Sequence, residues 1–85
     1  MNSWKDLGHD GKLKLHKDYG DGFYGEIFST GKFVFLGLIE YIGGEPTIKS
    51  STHFAVNKTT EREMKAIVDN WHKEIVEFDK DGNNE

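Results

Sequence analysis

Residues 32–42 (KFVFLGLIEYI) carry apolar side chains at both alternating positions and no charge between Lys32 and Glu40, the pattern of a strand in the middle of a sheet. Around it the alternation is simpler. Residues 12–17 (KLKLHK) place Leu13 and Leu15 on one side and Lys12, Lys14 and His16 on the other, which predicts a half-buried strand. Residues 23–30 (FYGEIFST) predict a second strand, joined by a tight turn at Thr30-Gly31 to 32–42 as the third, and residues 47–56 (TIKSSTHFAV) predict the fourth. The turns between them are glycine-rich, YGDG at 19–22 and GGEP at 43–46. The period then changes: Met64, Ile67, Val68, Trp71, Ile75 and Phe78 recur at helical spacing behind Thr60 and Glu63, the spacing of a capping box. The predicted helix spans 60–78. Residues 1–11 form a cap, with a helical turn after Ser3 carrying Trp4 and Leu7, and 79–85 (DKDGNNE) form a polar tail. The pattern therefore predicts one α+β domain over residues 1–85: a four-stranded antiparallel meander over 12–56, with one C-terminal amphipathic helix packed on one face.

Side-chain parity, carried across turns of even length, sorts the strands into two faces. One collects Leu13, Leu15, Tyr24, Phe28, Phe33, Phe35, Ile39, Tyr41, Ile48, Phe54 and Val56, and this is the face expected beneath the helix. Glu26 is its discordant member, a carboxylate needing a partner or a path to water. The opposite face has an aliphatic centre of Ile27, Val34, Leu36 and Leu38 with Phe23, flanked by Lys12, Lys14, His16, Lys49 and His53. It is expected to be open and to bind a partner, unless Trp4, Leu7 and the lysine stems fold over it.

Composition narrows the chemistry. The chain has 85 residues, no cysteine and a net charge of −4, so no disulfide or thiolate metal site holds it together. There is no leader-like or membrane-spanning run, which places the expectation in the cytoplasm, away from membranes. Acid concentrates at the C-terminal end, where residues 59–85 carry eight acidic against four basic side chains. Glu61, Asp69, Glu74, Glu77, Asp79 and Asp81 form a second candidate surface, suited to a basic partner. His9, His16, His53 and His72 fall on different elements, and no serine sits in a nucleophile setting, so no metal site, cofactor or catalytic residue is expected. The run 78–83 (FDKDGN) resembles the opening of an EF-hand calcium loop, but Asn84 stands where the loop needs glycine.

The expected function is that of a small non-catalytic protein-interaction module, acting through the open sheet face or the acidic helix. Its partner would be another protein or a second copy of itself, and chains of this size and composition are common among phage and mobile-element inhibitors and accessory factors. The alternative is a weak nucleic-acid-binding module. With Lys12, Lys14, Lys32 and Lys49 on the sheet, a meander backed by a helix resembles the sheet-reading DNA-binding domains of some plant transcription factors and phage integrases. Against it stand a single arginine, Arg62 on the helix, and aromatic side chains expected to point inward.

Overall fold

The computed structural model describes residues 3–8 and 12–82, with side chains described through residue 78. It contains β1 (Lys5–Asp6), β2 (Lys14–Asp18), β3 (Phe23–Thr30), β4 (Phe33–Ile42), β5 (Glu45–Ala55) and α1 (Glu61–Gly82). The strands form one antiparallel sheet in the order β1-β2-β3-β4-β5, each pairing with its neighbour in sequence. The sheet has one strand more than the pattern predicts, because Lys5 and Asp6 pair with His16 and Leu15 where a helical turn was expected. This short strand blunts one edge, as the cap was expected to do.

The helix begins where the sequence places it. Thr60 Oγ1 accepts from the Glu63 backbone N–H at 3.2 Å and donates to Glu63 Oε1 at 3.0 Å, while the Thr60 carbonyl accepts from Met64 N at 3.0 Å. The helix continues beyond Phe78 to Gly82. Asp79, Asp81 and Gly82 are therefore helical, not the start of a calcium-binding loop, while Asn83 to Glu85 and His9 lie outside the described residues.

α1 packs on the face expected to be open. Ile27, Leu38 and Val68 are 0 % exposed, and with Leu15, Phe23, Val34, Leu36 and Met64 they form the core. Trp4, Leu13, Phe54, Ile67, Trp71 and Ile75 close its margins. Gly25 makes the approach possible, since a Cβ there would lie 2.8 Å from both the Trp4 ring and Val68 Cγ1.

Two departures from the expected pairing, the β2–β3 turn and a bulge in β5, together with Glu26 explain the reversal. Between Tyr19 and Phe23 stand three residues, Gly20, Asp21 and Gly22, so Leu13 and Leu15 share a side with Ile27 instead of Phe28. The β3–β4 turn is Gly31-Lys32, with Gly31 at φ 55°; pairing shifts by two residues from the expected register, to Phe28 opposite Phe35 and Ile27 opposite Leu36, which leaves the division into faces unchanged. In β5, Ser50 pairs with Leu38 but Ile48 with Ile39, leaving Lys49 as the extra residue of a bulge and moving Phe54 to the helix side, opposite Val34. With Leu13, Leu15 and Phe54 added, the aliphatic side gathers an almost uncharged surface. The aromatic side keeps Glu26 at its centre, and covering it with a helix would strand that carboxylate away from water.

Candidate functional site

The face opposite α1 is built from alternate residues of five strands. One rung of paired residues crosses its centre: Lys5, His16, Glu26, Gly37 and Ser51. On one side of it runs Lys14, Phe28, Phe35 and His53, and on the other Asp18, Tyr24, Ile39 and Ile48. Phe33 and Tyr41 extend the two ends along β4. Most of these apolar side chains stand in water: Phe28 and Phe35 are exposed, Phe33 is 43 %, Tyr41 54 % and Ile48 69 % exposed. Tyr24 is half-buried, and Ile39 is buried among its neighbours.

The aromatic rings form a belt of two clusters, one on either side of the central rung. Phe28 and Phe35 stack at 5.6 Å, His53 lies 5.5 Å from both Phe33 and Phe35, Tyr24 and Tyr41 are 5.2 Å apart, and His16 is 5.3 Å from Tyr24. Because Gly37 has no side chain, the belt dips at the centre into an open depression of about 450 Å³, walled by Tyr24, Phe28, Phe35 and Ile48 and bordered by Glu26. A second hollow of about 400 Å³ adjoins it, between His16, Asp18, Tyr24 and Tyr41. Burial, followed by the neighbouring Tyr41 hydroxyl and the charge of Glu26, pushes the Tyr24 phenol above its ordinary pKa, so Tyr24 remains a neutral donor. Glu26 Oε1 lies 3.8 Å from His16 Nδ1.

The candidate residues read from sequence separate into groups. Phe23, Ile27, Val34, Leu36 and Leu38, expected on a partner surface, are buried under α1, for the reasons of turn length and bulge given above. Lys14, His16 and His53 do lie on the open face, beside aromatic rings in place of the aliphatic cluster. Lys12 is exposed just before β2, and Lys49 turns to Glu40 at 3.7 Å. Sequence reasoning assigned Tyr24, Phe28, Phe33, Phe35, Tyr41 and Ile48 to the core. The signal that pointed the other way was Glu26, in phase with them.

The acidic helix is less free than its composition suggests. Asp69 faces the sheet, where it accepts from Lys17 Nζ at 2.9 Å and from the Tyr19 hydroxyl at 2.6 Å. Burial raises the Asp69 pKa, but the Tyr19 and Lys17 bonds outweigh it and hold the carboxyl below its usual range. The buried Trp4 indole N–H has no hydrogen-bond partner among the described residues, and it favours the same charge. Tyr19 is pushed up in turn, first by burial and then by Asp69 and Asp21. His72 stacks on Tyr19 at 3.9 Å and meets Asp21 at 2.7 Å, so this cluster fastens the helix to the β2–β3 turn. Glu61, Glu74 and Glu77 are exposed, but Arg62, Lys65 and Lys73 stand on the same helix, and Lys65 pairs with Glu61 at 3.4 Å. The side chains of Asp79 and Asp81 lie outside those described.

Among the described residues, no three His, Cys, Asp or Glu side chains gather as a metal site, and no helix is long and apolar enough to cross a membrane. Comparison with protein-family models, curated proteins and solved structures returns no match for this chain.

Proposed function

We propose that the protein is a small interaction module that binds another protein chain through the aromatic face of its sheet. The observation that carries this reading is the exposed belt of Phe28, Phe33, Phe35, Tyr41 and Ile48 on the side that α1 leaves uncovered. Contiguous apolar surface of this extent is costly in water and marks contact sites, and aromatic side chains supply much of the binding energy of protein interfaces. The polar rim of Lys14, His16, Asp18 and His53 suits such a surface, and the mixed charges of α1 make it the weaker candidate. A role among phage or mobile-element inhibitors and accessory factors is consistent with a compact chain of this kind.

The test is binding by Phe35→Asp and Tyr41→Asp variants beside a helix-surface control, Glu74→Lys. Partners retained by the wild type and by Glu74→Lys should be lost by both face variants. Partners that bind all four proteins equally would sink the proposal.

The outward aromatics also favour a second reading, in which unpaired bases of a single-stranded nucleic acid stack on Phe28 and Phe35 beside Lys14. Asp18 and Glu26 on the same face, and a net charge of −4, weigh against it. Titration of a labelled single strand at two salt concentrations decides: a phosphate-driven complex must weaken as salt rises, and no binding at low salt ends this reading.

A further inference from the structure

We infer that the occupant of the aromatic face is a second copy of the same chain, packed sheet to sheet about a two-fold axis along the rung His16–Glu26–Gly37–Ser51; this rests on reading that face as a protein-binding surface. The argument begins with charge. Within the paired strands the face carries Lys5, Lys14, Asp18 and Glu26, two charges of each sign, so it is neutral where the whole chain is acidic. Along β2 the charges are ordered: Lys14 at one end, His16 in the middle and Asp18 at the other. A two-fold along the central rung lays β2 antiparallel over its copy and brings each Lys14 over the other's Asp18. A two-fold parallel to the strands leaves Lys14 and Asp18 at opposite ends of the interface, so the charge pattern selects the first arrangement.

The apolar side chains follow the same symmetry. The rung Lys14–Phe28–Phe35–His53 meets the rung Asp18–Tyr24–Ile39–Ile48, so Phe28 lies over Tyr24 and Phe35 over Ile39, while Phe33 lies over Tyr41. Aligned sheets pack about 10 Å apart, close enough for these side chains to interdigitate. On the axis, Gly37 meets Gly37 and the two depressions join, which leaves room for water around the paired Glu26 carboxylates, while Lys5, at the exposed edge of the same rung, meets its copy with both ammonium groups in water.

Area is sufficient. Four strands at about 4.8 Å spacing and a length of about 27 Å along β4 give roughly 500 Å² per copy, or roughly 1,000 Å² in all, the lower bound of a specific interface.

The measurement is sedimentation equilibrium of the intact chain over a dilution series. The wild type should dimerise. Lys14→Asp sets acid over Asp18 at both ends of the interface, and Asp18→Lys sets lysine over Lys14, so each alone should weaken dimerisation on the order of tenfold or more. Mixed together, the two variants oppose unlike charges at both ends and should form a heterodimer, visible by its mass. Glu26→Gln removes the more enclosed of the two like-charge meetings on the axis and should tighten the dimer several-fold. Because Asp18 accepts from Gly20 N at 2.8 Å, Asp18→Lys can disturb the turn. Comparing Lys14→Asp with Lys14→Gln avoids this, since reversal must weaken the dimer more than neutralisation does.

A wild type that stays monomeric up to its solubility limit overturns the inference, as does equal dimerisation by the wild type and Lys14→Asp. A monomer that still loses a different partner on Phe35→Asp substitution overturns the inference alone and leaves the proposed function standing.

Discussion

Phe35 and Leu36 are neighbours in sequence with opposite fates, one exposed beside His53 and the other 2 % exposed beneath α1. Truncating them should separate the two faces energetically. Leu36→Ala and Ile27→Ala each leave a cavity in a packed core and should cost about 2–5 kcal/mol by denaturant unfolding, whereas Phe35→Ala in the monomer should cost about 1 kcal/mol or less. The reverse ranking would mean that the helix covers the aromatic face. Gly25→Ala belongs to the same scale: its methyl meets the Trp4 ring and Val68 at 2.8 Å, and forcing it in should cost about 1–3 kcal/mol, read as a lowered unfolding midpoint. Glu26 was legible in the sequence as the residue out of place in an aromatic core. Its meaning was not, because deciding between a buried carboxylate with a partner and a wrongly assigned face needs the rest of the sheet.

At the scale of elements, α1 is held at its start by Thr60 and near its middle by Asp69. Removing the cap with Thr60→Ala should lower stability by about 1 kcal/mol in the same unfolding assay. Asp69 gives the attachment a pH dependence. Its folded pKa lies below the value of about 3.9 for an unfolded chain, so the stabilisation is complete above that value and is lost as pH falls through the lower folded value. Acid unfolding of the wild type should therefore include a component below about pH 4 that Asp69→Asn lacks. Identical acid profiles for the two proteins would exclude this role. The helix and its cap were readable because capping and 3.6-residue periodicity are local; its extension to Gly82 was not, since residues 79–82 are polar and carry no apolar period. Phe78, 76 % exposed, shows that the apolar stripe outlasts the sheet it packs on.

At the scale of the whole molecule, the five strands and one helix of the described residues make two layers, which leaves one face of the sheet to be explained. A dye that reports exposed apolar surface should bind the protein when dilute, bind less per chain as concentration rises and the faces pair, and bind weakly to Phe35→Asp at any concentration. Concentration-independent dye binding by the wild type would argue that the face stays uncovered by its own copy. By itself the sequence determined the α+β class, the four principal strands, the cap and stripe of the helix, and the division of β3 and β4 into an aromatic and an aliphatic side, because alternation and helical period are properties of neighbouring residues. Tertiary structure decided which side the helix covers. That choice depends on a three-residue turn, on a bulge at Lys49 and on the desolvation of Glu26, and each acts by moving side chains between faces across the whole sheet.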